Sequence, residues 1–434
     1  MNEPATRTMT APSGLPRLLA HLTSPRARAT LAAHRRLLPP PPVPRGKPNL
    51  ALVSAVERSG LRGRGGAGFP SGTKLKAVTR RGRGPAVVVV NGTEGEPASA
   101  KDELLLTDTP HLVIDGALAA AAAAGADRVI LCVAASNTRA LSSLYQSLEE
   151  RTTREPLPVR FDVSIAPDGY VTGEERALVA WLNGGRPLPN VGPRPFERGV
   201  GGRPTLVHNV ETIAQLAQIA AFGPEWFRSV GTPDEPGSAL VTLSGATPRP
   251  GVYEVSFGTP LANLLQAAGG TPHGMAAVLV GGFYGAWIAP QDAETVRLSN
   301  QDLGRLGASV GSGVVAVIPA DACGVLETAR ILRWFSAQSA GQCGPCVHGL
   351  AAIAAATQHL VEKGGDGTLT RLQRWAGDVE GRGACRLPDG AVRLLRSSLD
   401  VFAGDVDRHR RGRPCAASSH APAIAVPGRR AVAS

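Results

Sequence analysis

The 434-residue sequence predicts an α/β protein: a layered α/β domain, then a small β-grasp-like domain, then a C-terminal helical bundle. Three observations predict this order. Short apolar strands alternate with helical periodicity up to about residue 235, which is typical of a sheet covered by helices. Beyond that point two strands, a short helix and a further strand follow one another, as in a β-grasp. From about residue 323 apolar residues recur every three or four positions, as in a helical bundle.

The composition indicates a globular protein with a large core, because 43% of the residues are hydrophobic. The formal net charge is +11, but the basic residues are spread along the chain and aromatic residues amount to only 4%. Nucleic-acid binding is therefore not expected. The positive charge is almost all arginine, since lysine occurs only at Lys47, Lys74, Lys76, Lys101 and Lys363.

No signal peptide is expected, because the first thirty or so residues lack a continuous apolar core. The most apolar window, residues 112–134, contains three charged residues and an interrupting glycine. It predicts a buried helix followed by a strand, and no direct membrane span is expected.

Changes in composition divide the chain into five segments. Residues 1–48 are rich in arginine and proline and are expected to form a flexible leader. The α/β domain covers residues 49–235, the β-grasp-like domain residues 236–322 and the helical domain residues 323–407. Residues 408–434 are expected to form a disordered basic tail.

The most unusual stretch is the glycine-dense run at residues 59–74. Its glycines leave one surface almost free of side chains, so backbone N–H groups can approach a flat or anionic ligand, and Lys74 adds a charge suited to a phosphate. Gly63, Gly65 and Gly68 satisfy G-x-G-x-x-G, but that fingerprint should follow a strand, whereas the preceding residues predict a helix. We therefore interpret the loop as a nucleotide or flavin site of another topology. A glycine-rich surface linker is the alternative.

Carboxylates follow two predicted strands. Glu94 and Glu96 come directly after a valine-rich strand, and Glu174 and Glu175 follow a later one. Ligands of open α/β sheets lie beyond the carboxyl ends of the strands, so these acids are candidates for binding ribose hydroxyls, a nicotinamide amide or the edge of a flavin. Solvated loop acids are the alternative.

Three short polar side chains, Asn91, His208 and Asn209, stand beside apolar runs. They could form hydrogen bonds with a flavin ring or a phosphate. Turn-forming or capping roles are equally compatible with each of them.

A third group of candidates is formed by cysteines. Cys343 and Cys346 enclose a Gly-Pro turn at the head of a predicted helix, and Cys385 precedes another helix. Three thiolates could hold an iron–sulfur cluster with one unusual ligand, or a zinc ion with His348 as the fourth ligand; a vestigial site is also compatible. The remaining cysteines are an expected core residue, Cys132, and two candidates without further support, Cys323 and Cys415.

Together these motifs resemble the family of FMN- and NADH-binding flavoprotein subunits of respiratory NADH:quinone oxidoreductase. Diaphorase subunits of NAD-linked hydrogenases and formate dehydrogenases belong to the same family. The resemblance runs from about Ser59 to about Phe402. The matching runs are 59–74 with S-G-L-R-G-R-G-G-A-G-F-P-x-G-x-K, 91–102 with N-A-D-E-x-E-P-G-T-x-K-D, 170–175 with Y-x-C-G-E-E, 204–212 with P-T-x-x-N-N-V-E-T, and 340–349 with C-G-x-C-x-P-C-x-x-G.

The resemblance implies an FMN-dependent NADH dehydrogenase with a Rossmann-like FMN/NADH domain, an SLBB-like β-grasp domain and a helical iron–sulfur domain. Hydride would pass from NADH to FMN, and single electrons would leave through a 4Fe–4S cluster. The implied acceptor is a ferredoxin-like or thioredoxin-like iron–sulfur protein or a membrane redox complex. The implied location is the cytoplasm, including the inner face of the membrane.

The resemblance also assigns residues. The implied FMN and NADH contacts are Gly63, Arg64, Gly65, Gly66, Gly68, Phe69, Lys74, Asn91, Thr93, Glu94, Glu96, Tyr170, Gly173, Glu174, Glu175, His208, Asn209 and Val210. The implied catalytic residues among them are Glu96, Glu174 and Glu175. The implied cluster ligands are Cys343, Cys346 and Cys385.

The chain departs from the family pattern at several positions. Ala340 stands where the first cluster cysteine is expected, Thr93 replaces an aspartate, and His208 replaces the first of two asparagines. Leu75 and Ala77 stand where aromatic residues usually follow the lysine. Ala340, Thr93 and Ala77 favour an alternative, a non-catalytic interaction or assembly protein that keeps the fold with lost or partial cofactor sites. The intact glycine loop with Lys74 and Glu96 favours the enzyme.

Overall fold

The structure, a computed structural model, describes residues 14–22, 27–80, 84–413 and 422–427. Its first domain is built on a parallel sheet whose strands are β1 (Ala86–Gly92), β2 (Ala126–Ala134), β3 (Arg160–Ala166) and β4 (Thr205–Asn209). The strand order is β3-β2-β1-β4, as in a Rossmann-type half sheet. The helices of this part are α1 (Leu31–Arg35), α2 (Leu50–Ser59), α3 (Ser71–Arg80), α4 (Lys101–Asp108), α5 (Pro110–Ala124), α6 (Thr138–Arg154), α7 (Glu175–Leu182) and α8 (Val210–Arg228).

Helix α5 is buried along its whole length. Its alanines and Gly116 allow close approach to α8, because a Cβ at Gly116 would lie only 1.9 Å from the carbonyl oxygen of Ile213. The helix ends at Gly125, which has a left-handed φ of 68°. The helix and strand predicted in the apolar window 112–134 are thus confirmed as α5 and β2.

The second sheet belongs to the β-grasp-like region. Its strands are β5 (Ser238–Gly245), β6 (Gly251–Ser256), β7 (Ala277–Val280), β8 (Ala286–Ile288) and β9 (Val314–Ile318), in the order β6-β5-β9-β7-β8. The short helices here are α9 (Leu261–Ala267), α10 (Pro290–Ala293) and α11 (Asn300–Gly304). The sequence did not predict β9, which is fully buried between β5 and β7 and pairs with both.

The C-terminal region is helical, as predicted. Its helices are α12 (Gly324–Ala337), α13 (Ala351–Lys363), α14 (Asp366–Val379), α15 (Leu387–Val401) and α16 (Ala403–Arg410), with a π-helical turn at Pro345–Leu350. Their buried apolar faces form one core that also includes Phe283 and Trp287 of the second sheet region. In the part of the chain that the structure describes, no helix is both long and apolar enough to cross a membrane.

The leader is not flexible in its described part, which corrects the prediction from composition. Leu18 and Leu38 are fully buried in the core of the first domain. The Arg17 guanidinium lies 3.9 Å from the centre of the Trp226 ring and donates to the carbonyl oxygens of Trp226 and Phe227 at the end of α8. The composition was misleading because Arg17 is buried, and Arg28 and Arg35 are partly buried and paired with carboxylates.

A buried ionic network around Asp115 fixes the leader to α5 and α6. The Asp115 carboxylate accepts hydrogen bonds from His34 Nε2 (2.7 Å), from both terminal nitrogens of Arg35, and from Arg151 (2.6 Å). His34 Nδ1 in turn lies 3.2 Å from His21 Nδ1. Burial would raise the pKa of Asp115, but the hydrogen bonds from His34 and Arg35 outweigh it and hold the pKa below its usual range.

The tail is also partly ordered, against the prediction. Residues 422–427 pack on the helical region: the Ala423 and Ile424 amides donate to Glu327, and Ile424 is buried. The rest of the tail beyond residue 413, including Cys415, lies outside the described residues.

We expect Asp115→Asn to destabilise the protein by about 3–5 kcal/mol, because it leaves two arginines facing a neutral group inside the protein. Denaturant unfolding followed by circular dichroism measures this. The control is Glu380→Gln, which breaks the exposed pair with Arg396 and should leave the curve unchanged. Equal effects of the two substitutions would contradict the central position of Asp115.

His111, whose Nδ1 accepts from Arg151 of the same network (3.2 Å), predicts a loss of stability in acid. Burial, followed by the Arg151 guanidinium, lowers the pKa of His111 to about 4. The folded chain therefore keeps this imidazole neutral, while the unfolded chain protonates it below about pH 6.5. Between about pH 6.5 and 4 this histidine should cost up to about 1.4 kcal/mol of unfolding free energy per pH unit. Above pH 6.5 the contribution is constant.

The measurement is the difference in unfolding free energy between wild type and His111→Gln, which cancels the titration of other groups. Any stability advantage of the wild type over the variant should shrink as the pH falls from 7 to about 4. His273→Gln, at an exposed histidine, is the control and should follow the wild type. If the difference in unfolding free energy between wild type and His111→Gln stays constant with pH, the folded chain does not keep His111 neutral as we expect.

Candidate cofactor site

The glycine-dense loop connects α2 to α3, so it neither follows a strand nor forms a Rossmann fingerprint, as the sequence predicted. Gly63 N donates to Phe69 O (2.9 Å), which closes the loop. The loop lies against the carboxyl end of β4, since a Cβ at Gly65 would be 3.3 Å from the Asn209 Cβ. Asn209 in turn is aligned with Asn91 at the end of β1. The loop and the carboxyl edge of the first sheet therefore meet.

The loop presents an open surface free of side chains. Gly66 and Gly68 have left-handed φ values of 102° and 62°, and no atom lies within 4 Å of a Cβ built at either residue. Phe69 beside them is half exposed. This loop surface is almost free of side chains, and its use by a ligand stays a prediction.

Lys74 lies next to this surface. Its Nζ donates to Val207 O on β4 (2.7 Å) and to the Glu175 carboxylate at the first turn of α7 (2.8 Å). The lysine therefore brings together the glycine loop, β4 and the segment after β3. An ammonium with one carboxylate partner at a strand edge is suited to an anionic ligand.

His208, the next residue of β4, is buried, and its Nε2 has no hydrogen-bond partner within the described residues. Burial, followed by the nearby Lys74 charge, lowers the pKa of His208 well below its usual value. The imidazole is therefore neutral. A buried polar atom without a partner is costly, so a ligand with a polar group would satisfy it.

Asn91 and Thr93 connect the end of β1 to the segment after β3. Asn91 Nδ2 donates to Gly173 O (2.8 Å), and Asn91 Oδ1 accepts from Thr93 Oγ1 (2.8 Å). A Cβ at Gly173 would lie 2.9 Å from Thr93 Oγ1, so glycine is required for this contact. The two strand ends predicted to share a site are thus in direct contact.

The two acids after β1 are occupied by protein groups. Glu94 has a left-handed φ of 31°, and its carboxylate accepts from the Ser99 hydroxyl (2.5 Å) and from the Asp102 and Glu103 amides at the start of α4. Glu96 accepts from Phe283 N of the second sheet region (2.9 Å). Burial raises the pKa of each carboxyl to about 7. Their contacts connect the loop after β1 to α4 and to the second sheet.

The two acids after β3, Glu174 and Glu175, differ in their hydrogen-bond partners. Glu174 caps α7, accepting from Arg176 N (3.0 Å) and Ala177 N (2.9 Å). Glu175 has Lys74 as its hydrogen-bond partner, and a third of its side chain is exposed. Glu175 is therefore the predicted catalytic acid whose carboxylate is most available to a ligand.

Two predicted ligand contacts lie in packed surroundings. Tyr170 stacks on Tyr284, with ring centres 5.0 Å apart, and meets Trp334 edge to face at 5.2 Å. Arg64 is buried: its guanidinium donates to Ser238 O and lies over the Phe257 ring. The Arg64 side chain thus connects the glycine loop to the second sheet region.

The sequence missed a buried ionic group beneath the site, here called the Lys101 cluster. Its members are Arg64, Lys101, Asp102, Asn209 and Glu211. Lys101 Nζ lies 2.8 Å from Asp102 and 3.2 Å from Glu211, and Asn209 Nδ2 donates to Asp102. Burial alone would lower the pKa of Lys101, but the two carboxylates outweigh it and raise the pKa. The scarcity of lysine in the sequence is the signal that could have identified Lys101.

The three predicted metal ligands border the core of the helical region. Cys346, in the π-helical turn, donates its backbone N–H to Cys343 O (3.1 Å). Cys385 lies two residues before α15. Burial raises the pKa of Cys346 to about 12, so binding of a metal centre here would release a proton.

Among the described residues no three His, Cys, Asp or Glu side chains are placed to share one metal ion. His348 is exposed. The zinc alternative therefore has no support in the described part of the chain. A four-iron cluster has one thiolate on each iron, so its thiolates are further apart than the ligands of a single ion.

Comparisons with known proteins agree with this geometry. Residues 56–218 match the family described as Nuo51 FMN-binding domain. Residues 327–409 match the NADH-ubiquinone oxidoreductase-F iron-sulfur binding region. The NADH-quinone oxidoreductase F-2 subunit of Rhizobium meliloti (strain 1021) is 32% identical over 378 residues, which cover 84% of this chain and 90% of that protein. The chain belongs to the family of NADH-quinone oxidoreductase F subunits.

Other relatives give the same result. The NADH-quinone oxidoreductase F subunit of Streptomyces coelicolor is also 32% identical, covering 84% of both chains. Among solved structures, an air-oxidized NAD+-reducing [NiFe]-hydrogenase superposes with a TM-score of 0.80 at 30% identity, over 91% of this chain and 67% of that one. Its H2-reduced state gives a TM-score of 0.77, and the chain spans 62% of the hydrogenase chain.

Family membership confirms the fold class, the class of NADH-oxidising flavoprotein and the two cofactors, FMN and an iron–sulfur cluster, that the sequence predicted. The comparisons give no support to a non-catalytic homologue. The relatives are named as one subunit of a larger oxidoreductase.

The residues present fit FMN. The surface at Gly66 and Gly68 is open enough for a flat group, Lys74 would supply a cation, and the unpartnered Nε2 of His208 would supply a polar contact. The assignment of individual ligand contacts stays a prediction.

We expect Gly68→Ala to weaken FMN binding roughly tenfold or more. A methyl group on the glycine surface would overpack the close contact between the loop and the flavin, at a cost of about 1–3 kcal/mol. Fluorescence titration of the flavin-free protein with FMN measures this. Gly307→Ala is a matched control: its φ of 68° resembles that of Gly68, and its Cβ would also meet no atom within 4 Å. Equal FMN affinities of the two variants would show that the glycine surface at Gly68 does not contact the flavin.

Proposed function

We propose that this chain oxidises NADH at the carboxyl edge of the first sheet and passes the electrons through the helical domain to a redox partner. The observation that carries the proposal is the position of Lys74, whose Nζ contacts β4 and Glu175 beside the open glycine surface. When bound, FMN accepts a hydride and releases electrons singly. The protein supplies the binding site and its electrostatics.

The glycine loop and Lys74 are assigned to the FMN phosphate and ring. Backbone N–H groups at glycines can contact an anion closely, and Lys74 adds a charged hydrogen bond. Asn91 and Asn209 are aligned at the ends of β1 and β4 and lie at the same edge of the sheet. The neutral His208 is assigned a hydrogen bond to the flavin.

Glu175 is assigned to the nicotinamide nucleotide. It lies at the first turn of α7, is partly exposed, and shares Lys74 with the proposed phosphate site. A carboxylate bound to a ribose hydroxyl repels the additional phosphate of NADPH, so NADH is the preferred donor. The half-exposed Phe69 ring is available to cover the bound nucleotide.

The surface that contacts the electron acceptor is assigned to the helical domain. Val347, next to Cys346, is an exposed apolar side chain, as at a protein contact. A ferredoxin-like or thioredoxin-like iron–sulfur protein, or a membrane redox complex, is the proposed partner. The proposed location is the cytoplasm, with peripheral attachment at the inner membrane face where the partner is a membrane complex.

The test is Lys74→Ala with Lys76→Ala as its control. Lys76 lies two residues further along α3 and pairs with Glu57 at the surface. Loss of a charged hydrogen bond worth about 1.5–3 kcal/mol should weaken FMN binding roughly 10- to 100-fold in Lys74→Ala only. Flavin absorbance of oxygen-free protein, and its bleaching by NADH, are the measurements. A wild type whose flavin NADH does not bleach would overturn the proposed function.

A further inference from the structure

The proline-rich end of the leader, residues 38–44, has no role in the proposed function. Its sequence is Leu-Pro-Pro-Pro-Pro-Val-Pro, and it lies outside the helices and strands. Proline fixes φ near −65° and keeps the residue before it out of the helical region, so this run takes the polyproline II conformation. That conformation has three residues per turn, so every third residue lies on the same face of the segment.

The burial of this proline segment follows the three-residue period. Leu38 and Pro44 are buried and Pro41 is half-buried, so these three residues form an inner face against the protein. Pro40 and Val43 are exposed, Val43 to 61%. They lie one turn apart, which is about 9 Å along the segment. The proline segment therefore presents two apolar side chains together to solvent.

The proline segment is fixed at both ends. At its start, Leu38 belongs to the core of the first domain. Beyond its end, Asn49 N donates to Ala122 O on α5 (2.9 Å). A Cβ at Gly125 would lie 2.8 Å from Pro48 Cδ, so the chain also packs closely on the end of α5. A partner would therefore meet an already ordered surface, and binding would cost little conformational entropy.

Two further features indicate the chemistry of a partner. No backbone N–H group of the described residues donates to the carbonyl oxygens of residues 39–44, so these oxygens are open to donors such as a tyrosine hydroxyl or a tryptophan N–H. The surroundings in the sequence are basic. Residues 4–56 contain no aspartate or glutamate, and Arg36, Arg45 and Lys47 are exposed on both sides of the proline segment. Acidic groups on the partner would be complementary to them.

We propose that the proline segment is a docking site for another protein, which receives Pro40 and Val43 in a groove lined with aromatic side chains and bordered by acidic residues. Aromatic grooves bind polyproline II segments because the segment is ordered before binding and presents its side chains at a fixed spacing. A second copy of this chain fits less well, since its net charge of +11 has the same sign. The site goes beyond NADH oxidation and does not depend on it.

The first experiment places a photo-crosslinking amino acid at Val43 of the full chain in the cells of its natural host. The control carries the same amino acid at Tyr145 on α6, which is 52% exposed. Mass spectrometry identifies the crosslinked peptides. We expect Val43 to crosslink to another protein, at a peptide with aromatic and acidic residues that the control does not reach.

The other occupants of this surface are outcomes of the same experiment. A crosslink from Val43 to a second copy of this chain, to another part of the same chain or to lipid would overturn the proposal. So would the absence of a crosslink, or a crosslinked peptide without aromatic residues.

The second experiment measures the affinity of the purified partner for the full chain by calorimetry. Val43→Asp should weaken binding roughly tenfold or more, because it buries a carboxylate in an apolar groove and repels the acidic border. Tyr145→Asp is the control and should bind like wild type. Higher salt should weaken the binding of wild type, because it screens the opposite charges. An affinity that Val43→Asp leaves unchanged, or that does not depend on salt, would contradict the docking site.

A separate readout covers a variant that does not fold. Circular dichroism and the bleaching of the flavin by NADH should be the same in Val43→Asp and wild type, because the side chain is exposed. If Val43→Asp loses its fold, Pro40→Gln changes the other outward side chain, and unchanged binding by that variant would overturn the proposal. A wild type that NADH does not bleach contradicts the proposed function alone. Unchanged binding by a folded variant contradicts the docking site alone.

Discussion

The cofactor site depends on a buried lysine. Lys101 is almost without solvent exposure, and transferring an ammonium from water into such an environment costs several kcal/mol. Asp102 and Glu211 offset that cost, and Asn209 orients the group by donating to Asp102 and accepting from Lys101. Glu211 also lies beside Arg64 of the glycine loop. Removal of Lys101 would leave Asp102 without this cation and Glu211 with only Arg64, so Lys101 holds α4, α8 and the loop together.

Three elements could be predicted from local sequence alone. The valine run predicted β1, the alanine run predicted α5, and the glycines predicted the loop at residues 59–74. Strand β4 was missed because it has five residues, of which three are polar, directly followed by a helix. Its place beside β1 comes from pairing across more than a hundred residues, which no local pattern encodes.

The site shows the same limit. The sequence placed Glu94 and Glu96 correctly in the loop after β1, but it could not say which donors meet their carboxylates. The Phe283 amide that binds Glu96 comes from 187 residues further along the chain. Glycine patterns were more reliable, because a missing side chain is a property of the residue itself, whereas a carboxylate's role depends on its partner. Lys101 was missed for the same reason: its role appears only when Glu211 is beside it.

The docked leader has a consequence for how the protein forms during synthesis. The backbone amides of Arg17 and Leu19 donate to Glu254 on β6, and the contact of Arg17 with Glu254 spans 237 positions. The leader leaves the ribosome before β6, yet its full binding surface exists only after the first domain and the start of the second sheet have been made. Its attachment is therefore completed only once β6 has been made, and an interrupted translation product that stops before β6 would lack the Glu254 contact while keeping those with Asp115 and Trp226.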